Sequence, residues 1–123
     1  MTSTSVDLLT GADVLTQAQL DALPMGIIHL DLTGRVLKYN RAEGELAGVA
    51  PADAVGRSFF EEVAPCTRVR QFEGQFREGV AARSLHAVFP YEFRFRDGRR
   101  KDVQVSMYYS PATETVWVMV ERP

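Results

Sequence analysis

Hydrophobic and polar positions alternate most cleanly in the C-terminal third of the chain. Tyr91, Phe93 and Phe95 are separated by Glu92, Arg94 and Arg96, so one side of an extended segment is aromatic and the other charged. Asp97-Gly98 follows as a favoured hairpin turn, and Val103, Val105 and Met107 resume the two-residue period. Ser110-Pro111-Ala112-Thr113-Glu114 predicts a second turn before Val116-Trp117-Val118-Met119-Val120, an apolar run that reads as a largely buried strand. Near the front, Gly26-Ile27-Ile28-His29-Leu30 and Val36-Leu37-Lys38-Tyr39-Asn40 flank Asp31-Leu32-Thr33-Gly34, which predicts another hairpin. Between the two strand regions the period lengthens. Asn40 to Gly48 begins with a capping residue and ends on a glycine, Ala52 to Val55 and Ser58 to Val63 fit short helical pieces, and Glu73 to Arg83 is the longest helical candidate. Phe76 and Val80 stand at i, i+4 in that candidate, while Gly74 and Gly79 weigh against it.

Two strands, several short helices and three strands assemble most simply into an α+β domain. Its five-stranded antiparallel sheet would carry the helices on one face, the layout of the PAS fold. Pro90 lies inside the third strand and suits an edge, because proline has no N–H for a ladder. Residues 1–24 differ from the rest. A helix starting at Asp13, with Leu15, Leu20 and Leu23 as apolar contacts, predicts an N-terminal helical cap over a core at 25–123, and the first ten positions read as a weakly ordered tail.

Composition narrows the function classes. The chain of 123 residues fits one domain, and its net charge of −2 argues against bulk binding to nucleic acid or anionic lipid. No apolar run approaches the roughly 20 residues that cross a membrane, and MTSTSVDLLTGAD has neither the basic start nor the apolar core of a secretion signal. A single cysteine forms no internal disulfide, so a reducing, cytoplasmic setting is expected.

Three places could carry chemistry. Cys66 sits in Val63-Ala64-Pro65-Cys66-Thr67; a lone cysteine is by default a small buried hydrophobe, although Arg68, Arg70 and a following helix leave activation of its thiol open. Tyr39 and Glu43 are four residues apart across a strand-to-helix junction; the plain reading is core and solvent, the sharper one a hydrogen-bonding pair for an anionic oxygen. His29 falls opposite Ile28 and Leu30 and is expected on the solvent side. Arg94, Arg96, Arg99, Arg100 and Lys101, interleaved with acids, read as a solvated face.

Taken together, Tyr39-Asn40 with Ala42-Glu43-Gly44, Ser58-Phe59-Phe60, Val63-Ala64-Pro65-Cys66-Thr67, Phe76, Glu78-Gly79-Val80-Ala81 and Trp117-Val118 resemble the photoactive yellow protein family from about Leu20 to Arg122. The resemblance implies a non-enzymatic blue-light receptor with trans-4-hydroxycinnamic (p-coumaric) acid joined to Cys66 as a thioester. Its phenolic oxygen would be a buried phenolate accepting from Tyr39 and a protonated Glu43, with Ile28, Ala64, Pro65, Phe93 and Phe95 around it and the Cys66 N–H on the thioester carbonyl. Light would isomerise the double bond, Glu43 would give up its proton, and the fold would loosen at the N-terminal cap to signal a downstream protein or domain. A monomer or weak dimer is expected. The chain departs from the family pattern at Ala47, where a threonine is usual, at Val49, where an arginine is usual, and in a loop at Asp97-Gly98 that is one residue short and lacks a methionine. These departures predict a partly protonated chromophore near neutral pH and slow dark recovery. The competing readings are a PAS module for a noncovalent ligand or a protein partner, and a thiol enzyme using Cys66, which would need a histidine base that neither His29 nor His86 supplies.

Overall fold

The computed structural model describes residues 8–95 and 97–122. Five strands, β1 (Gly26–Leu30), β2 (Val36–Tyr39), β3 (His86–Arg94), β4 (Arg100–Ser110) and β5 (Thr115–Glu121), form one antiparallel sheet in the order β2-β1-β5-β4-β3. The two strand groups meet because β1 pairs with β5 along its whole length, from Gly26 opposite Val120 to Leu30 opposite Val116. β3 is an edge, as Pro90 requires. Asp31 organises the first hairpin through one carboxylate oxygen, which accepts from the Thr33 and Arg35 backbone N–H groups at 2.9 Å each.

The helices are short: α1 (Gln17–Asp21), α2 (Arg41–Ala47), α3 (Pro51–Ala54) and α4 (Gln75–Ala82). Between α3 and α4 the chain makes two wide π-type turns, Phe59–Val63 and Arg70–Gly74, around a 3₁₀ turn at Pro65–Thr67. The wide turns let Phe59, Phe60 and Phe72 all reach the core, where they join Phe76, Phe93, Val105 and Val118 against the inner face of the sheet. The helix expected from Glu73 therefore starts at Gln75, since Arg70–Gly74 closes as a wider turn.

The other face is covered as well. Leu9, Ala12 and Leu20 pack on Ile27, Trp117 and Met119, so the N-terminal segment forms a second apolar layer. β5 reads as unbroken apolar sequence because both its faces are buried. This layer overturns two expectations. Leu9 is buried, so the loose tail does not extend through position ten; residues 1–7 lie outside the described ones. His29 is not on a solvent side. It is 8% exposed and lies parallel to the Trp117 ring with centroids 3.8 Å apart, because the face it points to is roofed by the N-terminal segment.

Candidate functional site

Asn40 sets the geometry of the Tyr39–Glu43 pair. Its side-chain oxygen accepts from the Glu43 N–H at 3.0 Å and caps α2 directly after β2 ends, so the chain turns from strand to helix within one residue. Tyr39 is thereby the last strand residue and Glu43 lies in the first helical turn, and both are buried. The same Asn40 oxygen accepts from Ile27 N–H at 2.8 Å, and its amide donates to the Leu20 carbonyl at 2.8 Å and the Met25 carbonyl at 3.0 Å. Gly26 completes the seat: a Cβ there would stand 2.0 Å from Glu43 Oε1, so only glycine leaves room for the carboxyl group.

Among the described residues, Tyr39 Oη and Glu43 Oε1 are buried without a hydrogen-bond partner. Burial pushes the Glu43 carboxyl up to about 8, so it holds its proton at neutral pH. Burial, and then the charge Glu43 would carry, also push the Tyr39 phenol well above its ordinary value. Two neutral O–H groups therefore stand ready to donate in a place where most buried polar atoms are satisfied.

A cavity of about 630 Å³ adjoins them. Its walls are Tyr39, Glu43 and Ala47 to Val49 on the helix side, Val63 to Cys66 beyond, Phe93 from the sheet and Phe95 just past the end of β3. Cys66 is presented by the Pro65–Thr67 turn, which Thr67 fixes by donating from its hydroxyl to the Ala64 carbonyl at 2.6 Å. Tyr91 Oη donates to the Cys66 carbonyl, tying the turn to β3. Cys66 also lines a second, more open hollow with Val69, Gln71, Pro90 and Tyr91, so the thiol sits between interior and surface.

The structure thus brings Tyr39, Glu43, Ala64, Pro65, Cys66, Phe93 and Phe95 to one cavity. Ile28 is fully buried opposite Tyr39 in the sheet, in the same core cluster as Tyr39 and Phe93, and is not among the residues that line the cavity. Phe95 is reached from a loop, because β3 ends at Arg94 and the expected two-residue Asp97-Gly98 turn belongs to a longer connection, with Phe95 N–H donating to the Arg99 carbonyl at 2.9 Å. The charged rim was missed by sequence reasoning. Asp53, Arg57, Glu61, Glu62, Arg94, Asp97 and Arg99 all line the cavity, and the basic run containing Arg94 and Arg99 read only as a solvated face. Arg96 of that run lies outside the described residues. A thiol enzyme finds little support in this arrangement, since His29 lies on the opposite face of the sheet and His86 is exposed at the start of β3.

The family model for the PAS fold matches residues 15–122. The photoactive yellow protein of Rhodothalassium salexigens is 46% identical over 85% of this chain and 83% of its own length. That of Halochromatium salexigens is 39% identical over 88% and 86%. Among solved structures, the photoactive yellow protein domain of the sensor histidine kinase Ppr from Rhodospirillum centenum superposes with a TM-score of 0.84 at 38% identity, covering 89% of this chain and 96% of that domain. A sensory-box domain from Geobacter sulfurreducens shares the fold alone, with a TM-score of 0.69 at 14% identity. With relatives this similar over most of its length and a cavity that joins Tyr39, Glu43 and Cys66, the chain belongs to the photoactive yellow protein family of the PAS fold.

Proposed function

We propose that this protein is a blue-light photoreceptor that carries p-coumaric acid as a thioester on Cys66. The observation that carries the reading is the pair of buried, unpartnered oxygens, Tyr39 Oη and Glu43 Oε1, beside a cavity that also holds the thiol. Bound there, the group supplies visible absorption and a double bond that light isomerises, which no side chain offers.

The residues present fit such a group. Cys66 Sγ provides the attachment atom, and the Pro65–Thr67 turn keeps it at the cavity wall. Tyr39 and a neutral Glu43 each offer an O–H to one buried anionic oxygen, which favours that oxygen's charged form. Phe93 and Phe95, near-parallel at 12°, give the cavity an apolar wall that keeps the donors strong. Glu43 is also the proton source. Once it gives up its proton, a carboxylate is left buried with no cation in contact among the described residues, and such a charge destabilises the packing around it by several kcal/mol. Because Asn40 joins the α2 cap to the Leu20 carbonyl, the strain bears on the N-terminal layer, whose loosening is the signal. The receiver is a downstream signalling protein or domain, in keeping with a solved relative that is part of a sensor histidine kinase. The same reading places the protein in the cytoplasm and gives it no substrate to turn over.

Intact-mass measurement after incubation with activated p-coumarate tests the reading. An adduct that Cys66→Ala abolishes, with a visible band that bleaches in blue light, is the expected result. No adduct and no band would overturn it in favour of a PAS module for a noncovalent ligand.

A further inference from the structure

We infer that Arg99 is the cationic lid of this cavity, closing it between the β3–β4 connection and the end of α2 and acting as counter-charge to the buried anion. The inference rests on the chromophore reading above and deepens it by naming a residue that positions and shields the charged end.

Three contacts fix the guanidinium. Asp97 Oδ2 accepts from Arg99 Nε at 2.6 Å, while its Oδ1 accepts from the Arg99 backbone N–H at 3.0 Å. The Arg99 Cζ lies 5.2 Å from the centroid of the Phe95 ring, an aromatic wall of the cavity. Across the opening, Nη2 reaches Gly48, where a Cβ would come within 3.3 Å of it. Gly48 has φ +71 and ends α2 in the left-handed conformation, so the same glycine stops the helix and admits the arginine. A cation beside a helix C-terminus is also favourably placed against the carbonyl dipoles.

Charge around the cavity makes this position matter. Ala47, Gly48 and Val49 offer no polar side chain, while Asp53, Glu61, Glu62 and Asp97 bring negative charge, and Glu43 holds a proton. Of the other cations lining the cavity, Arg57 lies 3.6 Å from Glu62 and Arg94 3.3 Å from Glu92, each at an exposed side chain. Arg99 alone among the three is held by contacts on both walls of the opening. Its side chain is about half exposed, which screens its effect and limits it to roughly half to one pH unit on a bound phenol.

The test uses the reconstituted protein in the dark. Arg99→Gln is expected to raise the chromophore pKa, read from the absorbance titration, by about half to one unit. Arg99→Lys should recover part of the shift, and Arg83→Gln, at a residue that pairs with Glu114 and does not line the cavity, should leave it unmoved. Arg99→Ala should also speed thioester cleavage by added hydroxylamine several-fold, because the opening is no longer covered. An adduct that forms normally while Arg99→Gln and Arg99→Ala match wild type in both readouts would overturn the inference and spare the photoreceptor reading. No adduct on the wild-type chain would sink both.

Discussion

Two buried ionisable residues, Glu43 and His29, act on stability with opposite sign. Glu43 is an acid raised by burial from 4.5 to about 8, so the folded chain keeps a proton that the unfolded chain releases. Its contribution is full below pH 4.5 and is lost as pH rises through 8. His29 is lowered from 6.5 to about 4, first by burial and then by the charge of Lys38, with Asp13 opposing. Its contribution is full above pH 6.5 and is lost as pH falls through 4. For the chain without chromophore, thermal melts should therefore be level between pH 4.5 and 6.5, then lose about 2 kcal/mol of stability toward pH 8. Glu43→Gln should abolish the alkaline loss, and His29→Gln should turn the plateau into a decline with rising pH. A Glu43→Gln melt profile parallel to wild type would contradict the assignment. The two residues were unequally legible. Asn40 is a strong cap, so the spacing of Tyr39 and Glu43 survives the passage from strand to helix. Alternation along β1 says that His29 points away from Ile28, but nothing in it says what lies on that side.

At the scale of elements, the strands were readable because a period of two and glycine- or aspartate-bearing turns survive local variation. The helices were blurred where the backbone widens. Phe59-Phe60 and Phe72 reach the core from π-type turns, whose pitch breaks the 3.6-residue pattern used to find helix boundaries. The junction of β2 and α2 depends instead on one side chain. Asn40 is fully buried and its side chain makes four hydrogen bonds, to Ile27, Glu43, Leu20 and Met25. Replacing it by alanine removes an N-cap and strands backbone groups of its other partners, for an expected loss of about 2–4 kcal/mol in urea unfolding. Asn40→Ser keeps an oxygen at the cap but cannot reproduce both amide donations, and should fall between. A cost below about 1 kcal/mol for Asn40→Ala would mean that α2 is held by packing alone and that the junction carries no coupling.

On the scale of the whole molecule, the sheet is a partition with the cavity on one side and the N-terminal layer on the other. The inner layer was legible because its aromatic residues alternate; the unbroken apolar run of β5 pointed to a second buried face, but nothing in the alternation of β1 showed that the N-terminal segment would cover His29 there. What fastens the outer layer is Asp13. Its carboxylate accepts from Trp117 Nε1 at 2.7 Å, from Thr113 Oγ1 at 3.2 Å and from Ser110 Oγ. Burial alone would raise its pKa, yet these hydrogen bonds outweigh burial and hold it below the ordinary carboxylate value, so it is charged at neutral pH. Hydrogen bonds to a charged acceptor are worth roughly 1.5–3 kcal/mol each, so Asp13→Ala should release the layer while leaving the cavity intact. Hydrogen exchange checks this in the dark: amides of α1 and of Ala12–Val14 should exchange at least about tenfold faster in the variant, with β3 and β4 unchanged. Illumination of the loaded wild-type protein should speed the same amides, because Asn40 ties the Leu20 carbonyl of that layer to the Glu43 N–H of the site. If light accelerates exchange only around Cys66 and α2, the disturbance stays within the cavity wall and the N-terminal layer is not the output. If light and Asp13→Ala loosen the same segment, the signal is the opening of this second face.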